Sequence, residues 1–228
     1  MLKGIKNSIT IFTFCLLLAA TGANGEEKYT SNECFEKVSR GTLKFNMALD
    51  KAIFKPIAKG YRSLPVPIRL GTSNAVSNLR SLLSLSNNIL QGDLKLAGNT
   101  AGRFIINSTV GILGFNDVAT RMGIAKTDED SGQTLGTYGV ASGPYVVLPL
   151  LGPSSVRDGL GRIVDLFADP LNNIARDRET KIAANTLKVI DTRARLLSAE
   201  QAFEALAFDR YMAMRSAYFA IRESQIED

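Results

Sequence analysis

The sequence predicts an all-α, mostly helical protein with a Gly/Pro-rich irregular segment at its centre and a helical hairpin at its C-terminal end. Three observations carry this. Apolar residues recur at helical spacing, between Pro and Gly punctuation, from 35 to about 125. Residues 179–224 contain neither Gly nor Pro. Between these regions, residues 131–156 form an unbroken run of 26 without a charge, yet hold five glycines and three prolines.

The N-terminal 25 residues stand apart from the fold. Lys3 and Lys6 precede the 12-residue apolar run "ITIFTFCLLLAA", and Ala23 and Gly25 supply small residues at the −3 and −1 positions of a cleavage site. This is the pattern of a secretory signal peptide cut before Glu26, and the run is too short for a comfortable permanent span. A lipoprotein signal needs a small residue directly before its cysteine. Cys15 follows Phe14 inside the apolar run and Cys34 follows Glu33, so the mature chain is expected to be exported and unlipidated. Residues 26–34 are polar and expected to be loose, and 35–224 to form a single domain, for which the length suffices.

Composition excludes much chemistry. There is no His, which removes the commonest general base and metal ligand. With Cys34 as the one thiol of the mature chain, no intramolecular disulfide, zinc site or iron–sulfur site can be built, so no metal and no cofactor is expected. No nucleophile elbow, Ser-x-x-Lys pair or P-loop occurs. The cluster "TDEDSG" at 127–132 lacks EF-hand spacing and is expected to be a solvated turn. Nothing points to an enzyme. Without Lys3 and Lys6 the chain has 25 basic and 22 acidic side chains, a net +3 with the cations scattered, so no nucleic acid is expected as a partner.

The helical elements follow in order. "FEKVSRGTLKFNMALDKAIFKPIAKGYRSL" is amphipathic and ends at a turn expected over "PVP". In "GTSNAVSNLRSLLSLSNNILQGD", Val76, Leu79, Leu82, Leu83 and Leu90 form an apolar stripe. Its opposite face, with Asn74, Ser77, Asn78, Ser81, Ser84 and Asn88, is polar but nearly uncharged. A solvated face is normally studded with Lys and Glu, so this one fits either a helix packed between two neighbours or the lining of a water-filled passage. In "NSTVGILGFNDVA", Gly111 and Gly114 bracket Ile112 and Leu113 ahead of Phe115 and Asp117. Two glycines three apart cost an apolar helix about 1 kcal/mol each relative to Ala and permit a turn that other residues resist.

The uncharged run 131–156 cannot be one helix, because Pro144, Pro149 and Pro153 interrupt it. In hydrocarbon, irregular backbone is tolerated only under protein cover or beside a watery cavity, so the run is expected to pack within a helical framework. After it, Ser154 or Ser155 is expected to cap a helix, with Asp158 three residues beyond Ser155 as a short-armed capping box. Arg157 then either ties the turn to a carboxylate elsewhere or, with Asp158, serves a lipid headgroup. In the last region Leu187, Ile190, Ala194 and Leu197 form one stripe and Leu206, Met214, Tyr218 and Ile221 another, with the break between the two helices expected near Ser198.

Taken together, "FNMALDKAIFKPIAKGYRSLPVPIR", "SNNILQGD", "RFIINSTVGILGFNDVA", "GQTLGTYGVASGPYVVLPLLGPSSVRD" and "VIDTRARLL", in that order, resemble the MlaA (VacJ) family of Gram-negative outer-membrane proteins. The resemblance runs from about Phe35 to Arg222, and 132–158 is its most specific block. It implies a ring-shaped helical assembly lying in the plane of the outer membrane around an amphipathic channel. Through such a channel mislocalised phospholipids leave the outer leaflet, pass to a soluble periplasmic lipid carrier and reach an inner-membrane ABC transporter complex, which maintains lipid asymmetry. It also implies association with trimeric porins. In this family the segment Gly111, Ile112, Leu113, Gly114, Phe115 and Asp117 forms a hairpin at the channel mouth that could gate lipid entry. The other class of function kept open is a structural outer-membrane or surface factor that translocates no lipid. Two departures stand out: many members are lipoproteins, and the family's Asp-Pro-Tyr near the C-terminus is here Asp209, Arg210, Tyr211, expected to let the terminal helices run on unbroken.

Overall fold

The computed structural model describes residues 33–171, 177–206 and 209–227, with the side chains of 34, 199 and 201–206 left aside. The expected signal peptide and nearly all of the expected loose segment 26–34 lie outside the described residues, as does the side chain of Leu206.

Helix α1 (Glu33–Leu49) opens with Glu33 and Glu36 in its first turn, where the helix dipole favours acids. Phe35, Ser39 and Leu43, one face at four-residue spacing, turn inward. The chain continues through a π-helical turn, Asp50–Phe54, into α2 (Lys55–Arg62). Pro56 explains the widening: its missing N–H cannot serve the carbonyl four residues earlier, and the Lys55 N–H bonds back to Asp50 O instead. The break after α2 falls at Ser63–Pro65 rather than over the whole of "PVP", because Pro67 sits in the first turn of α3 (Val66–Gln91), where no N–H is required. Gly92, at φ +81°, ends α3, and Asp93 caps α4 (Leu94–Thr109) through the Leu96 N–H.

After a tight loop come α5 (Val118–Arg121) and α6 (Ser131–Thr137). The irregular run then does something its sequence did not announce: Tyr145–Leu148 (β1) and Gly152–Ser155 (β2) pair as an antiparallel hairpin, Tyr145 opposite Ser155 and Leu148 opposite Gly152. Helix α1 covers it. The Val147 N–H donates to Ser39 Oγ at 3.1 Å, Asn46 Nδ2 donates to Leu148 O, and the Leu150 N–H donates to Asn46 Oδ1. Thus backbone groups that a helix would have satisfied internally are satisfied by the ladder and by α1.

Ser155 caps α7 (Val156–Ala168), accepting from the Asp158 N–H at 3.1 Å. Asp158 does not complete the capping box, because its carboxylate is occupied by side chains elsewhere. Helices α8 (Arg178–Leu206) and α9 (Arg210–Glu227) complete the described chain. The break expected near Ser198 is displaced: α8 passes straight through, the Ser198 hydroxyl donating to Arg195 O and ion pairs Asp191–Arg195 and Arg193–Glu200 lying along the same helix. The terminal helices do not run on unbroken either. Asp209 accepts from the Tyr211 and Met212 N–H groups and starts α9. Of the second stripe, Met214 and Tyr218 pack inward, whereas Ile221 is exposed and Tyr211 and Phe219 hold the buried places.

The apolar core is small and joins the two ends of the domain. Leu43 of α1, Tyr145 and Val147 of β1, and Tyr211 and Phe219 of α9 cluster there. Tyr145 meets Tyr211, Tyr218 and Phe219 edge-on or tilted at 5.4–5.9 Å, and Arg40 lies 4.4 Å over the Tyr211 ring. Most of the remaining interior is polar.

Candidate functional site

Helices α3 and α4 pack as an antiparallel pair, and their facing surfaces are hydrophilic. On α3 the buried positions include Asn78, Ser84, Asn87 and Asn88, while Ile68, Leu70, Ile89 and Leu90 are exposed. On α4 Thr100, Arg103 and Asn107 are buried, while Leu94 and Ile105 are exposed. Helix α7 repeats the inversion: Leu160, Ile163, Val164 and Phe167 form an i, i+3, i+4, i+7 stripe that faces out, and Arg157, Asp158, Gly161 and Asp165 face in. A water-soluble domain has the opposite polarity. Contiguous exposed apolar faces of this kind mark contact with a partner or with lipid.

Between α3, α4 and α8 lies a polar cavity of about 230 Å³. Ser73, Asn74, Ser77, Asn78 and Ser81 of α3 form one wall, and Thr100, Arg103 and Asn107 of α4 the next. Asp117, Lys126, Thr127 and Arg195 of α8 complete it. Its walls are cross-linked: Asn78 Nδ2 donates to Ser108 Oγ at 2.9 Å, and Thr100 Oγ1 meets Thr127 Oγ1 at 2.9 Å. Arg103 donates to both carboxylate oxygens of Asp117 at 2.9 Å, to Thr120 Oγ1 and to Ile124 O. Asp117 also caps α5 and accepts from Asn107 at 3.0 Å. Burial pushes its carboxyl up, but the bonds from Thr120 and Asn107 and the charge of Arg103 outweigh that and hold it below the ordinary carboxylate range.

The loop from Val110 to Asn116 rises beside this cavity. Ile112, Leu113 and Gly114 are all left-handed, at φ 56°, 54° and 83°. For a β-branched residue such as Ile112 this is a strained backbone state. Gly111 is required by proximity: a Cβ there would lie 2.3 Å from Asn116 O and 2.4 Å from Asn107 O. At Gly114 a Cβ would meet the side chain of Asn78 at 2.6 Å. The loop tip is apolar and bare, with Leu113 79% exposed, whereas the Phe115 ring lies on Gly71 of α3 and Asn74 Nδ2 donates to Phe115 O at 3.3 Å.

The structure therefore brings together Asn74, Asn78, Ser81, Asp117 and the loop Gly111–Phe115. Asn88 is not at the cavity: it is fully buried further along α3, donating to Thr100 Oγ1 at 3.0 Å. Arg157 and Asp158 stand in a separate buried cluster. Arg157 Nε donates to Asp158 Oδ1 at 2.8 Å and its Nη1 to Val140 O. Asp158 Oδ2 accepts from Tyr218 Oη and, at 2.9 Å, from Arg222 Nε, and Arg222 continues to both oxygens of Asp130. Asp130 also caps α6, so the acidic cluster at 127–132 is only in part a solvated turn. Sequence reasoning missed Thr100, Arg103 and Asn107, although their i, i+3, i+7 spacing within an apolar helix was a usable signal. It missed Lys126 and Arg195 because nothing local ties them to α3.

Comparison with known proteins agrees with this geometry. A family model described as "MlaA lipoprotein" matches residues 31–225. The Escherichia coli protein named "Intermembrane phospholipid transport system lipoprotein MlaA" is 34% identical over 208 residues, covering 89% of this chain and 82% of that protein. Its Haemophilus influenzae namesake is 29% identical over 98% of this chain and 91% of the relative. An uncharacterized Rickettsia prowazekii protein is 32% identical over 85% of this chain and 77% of its own. A solved structure described as "Structural basis for maintenance of bacterial outer membrane lipid asymmetry" superposes with a TM-score of 0.74 at 32% identity, over 84% of this chain and 97% of that one. With its helices folded polar side inward around a hydrophilic cavity, and with matches over nearly all its described length, this chain belongs to the MlaA family.

Proposed function

We propose that the chain is an intermembrane phospholipid transport component of the outer membrane: it removes mislocalised phospholipid from the outer leaflet, through the polar space between α3, α4 and α8, and so maintains lipid asymmetry. The observation that carries this reading is the inverted polarity of α3, α4 and α7, apolar outside and hydrophilic inside. Such a protein offers a headgroup a watery path while its flanks stay in hydrocarbon. The relatives named for intermembrane phospholipid transport support it. The lipid passes to a soluble periplasmic phospholipid-binding carrier and, through it, to an inner-membrane ABC transporter, with trimeric porins as neighbours in the outer membrane. Transport of this kind needs no covalent chemistry and no cofactor, in keeping with a chain without His.

In this reading Asn74, Asn78 and Ser81 line the path, and the Gly111–Asp117 loop gates it. Left-handed Ile112 and Leu113 support the gate, since strain of this kind collects at switching segments. Arg157 and Asp158, 5% and 3% exposed and tied to α9, act as a structural clasp in place of a headgroup site. The relatives are named lipoproteins, whereas Cys15 and Cys34 lack the small residue that acylation requires; the exported chain then holds to the membrane by its apolar faces. The decisive experiment measures phospholipid in the outer leaflet of cells with and without the gene. Accumulation on deletion, reversed by the wild-type chain, is expected; an unchanged outer leaflet leaves only a structural role.

A further inference from the structure

Of the charged groups lining the cavity, one pair is already spent. Arg103 is 6% exposed and gives its hydrogen bonds to Asp117, Thr120 and Ile124 O, while Asp117 is saturated by Arg103, Asn107 and Thr120. The other two charges are both cations, Lys126 and Arg195, and both keep donors unspent. Lys126 pairs at 2.7 Å with Asp128, whose side chain is 74% exposed; an exposed pair of this kind binds weakly. The Arg195 side chain is 66% exposed. It uses Nη2 alone, toward Asp191 and Ser73, and among the described residues its Nε and Nη1 have no partner.

Arg195 need not leave Asp191 to offer donors, because Nη2 alone holds the carboxylate. Asp191, its partner, also accepts from Tyr61 Oη at 3.3 Å and from Ser73 Oγ at 2.8 Å, which fixes the carboxylate and leaves Nε and Nη1 of Arg195 as the donors on offer. Neither Asp128 nor Asp191 lines the cavity. An entering group therefore meets two cations with unspent donors and a wall of hydroxyls and amides, and the one carboxylate in the lining, Asp117, is already saturated. A guanidinium fork with two unspent faces is the side chain best shaped for phosphate oxygens. A volume of about 230 Å³ lies below the roughly 300–1,000 Å³ of sites that enclose a whole small molecule. It suits a headgroup whose acyl chains remain outside.

We infer that Arg195 and Lys126 form the phosphate subsite of this cavity, and that the lack of a free carboxylate makes it select phospholipids of net negative charge, such as phosphatidylglycerol, over zwitterionic phosphatidylethanolamine. The inference rests on the transport reading above and adds the class of lipid. The same chemistry would hold free inorganic phosphate, so the test must separate the two sources.

The experiment uses the full mature chain in neutral detergent, equilibrated with equal amounts of phosphatidylglycerol and phosphatidylethanolamine, with bound lipid counted by native mass spectrometry. The expected bound ratio favours phosphatidylglycerol by about tenfold, the scale of one charge-assisted hydrogen bond. Arg195→Gln and Lys126→Gln should each bring the ratio toward one, Arg195→Lys should keep part of it, and Arg62→Gln, an exposed cation that does not line the cavity, should leave it unchanged. A ratio of one in the unaltered protein, with lipid bound, overturns the selectivity and leaves the transport reading intact. So does a preference that survives Arg195→Gln combined with Lys126→Gln. Displacement of phosphatidylglycerol by millimolar inorganic phosphate alone assigns the subsite to a free anion and overturns the headgroup assignment. Binding of neither lipid overturns both the inference and the reading beneath it.

Discussion

Asp158 is the residue on which α7 and α9 meet. Three donors from α7 and α9, on Arg157, Tyr218 and Arg222, converge on a carboxylate 3% exposed. Burial alone would raise its pKa; the bonds from Arg222, Arg157 and Tyr218 outweigh burial and bring it down to about 2. A depressed acid contributes stability that is complete above the ordinary carboxylate range, about 4, and is lost as pH falls through the folded value near 2. Acid titration followed by tyrosine near-ultraviolet dichroism should therefore show the aromatic cluster loosening between about pH 4 and 2. Asp158→Asn should lower stability by about 3–5 kcal/mol at neutral pH, because Arg157 is left buried without its counter-charge, and should flatten the acid transition. Among the described residues Arg157 Nη2 already has no partner, which leaves Val140 O as the acceptor that remains to the guanidinium. A variant melting within 1 °C of the parent would show that the cluster contributes little.

Gly111 makes a second case at this scale. Its absent Cβ is what lets Asn107 O and Asn116 O approach, so Gly111→Ala should cost about 1–3 kcal/mol of local backbone strain. Gly114→Ala, left-handed and against Asn78, should cost about as much. Both are checked by thermal melts in detergent and by protease cleavage within 107–117, which should quicken in each variant.

At the scale of the element, the proposed gate and the inverted helices are the testable units. Phe115 seated on Gly71 joins the loop to α3, which makes these two positions the place to tether it. With Cys34→Ser as background, Gly71→Cys with Phe115→Cys should form a bridge on oxidation, confirmed by loss of free thiol. Oxidised protein is expected to clear outer-leaflet phospholipid at least about tenfold more slowly, and reductant should restore the rate. If the bridged, correctly inserted protein clears lipid as fast as the reduced form, the loop is only a corner between α4 and α5. The same logic explains α7: its outward stripe Leu160, Ile163, Val164, Phe167 follows the ordinary amphipathic period, and only its direction is unusual.

Among the described residues many large apolar side chains face outward, although no helix is long and apolar enough to cross a membrane. Leu94, Ile105, Leu150, Leu151, Leu160 and Phe167 come from three separate segments, α4, the β1–β2 turn and α7, so the proposed attachment is distributed; each CH₂ withdrawn from water contributes about 0.8 kcal/mol. The exported protein should accordingly sediment with outer membranes, resist extraction by salt, and be released by detergent. Intact-mass measurement should find a chain starting at Glu26 without an acyl group. Recovery in the soluble periplasmic fraction at low salt would remove the embedded ring from consideration, and a diacylglyceryl mass on either cysteine would replace distributed attachment with a lipid anchor.

How much of this was legible beforehand follows from what each signal depends on. Helix positions rest on local periodicity and on Pro, Gly and Asp at fixed offsets, so α3, α4 and α7 and the cap at Ser155 could be read from the chain alone. So could the uncharged polar face of Asn74, Asn78 and Ser81, and the turn at Gly111 and Gly114. The hairpin Tyr145–Ser155 could not, because a short ladder is held by α1, more than a hundred residues earlier in the chain. The end of α8 was misplaced because Ser198 has a choice of partners that only the packed helix resolves. Periodicity shows that a helix has two faces; it does not say which one meets the interior. That direction was set by tertiary pairing, which places Arg103 on Asp117 and Asn78 on Ser108, and which gathers Lys126 and Arg195 from distant segments around one cavity.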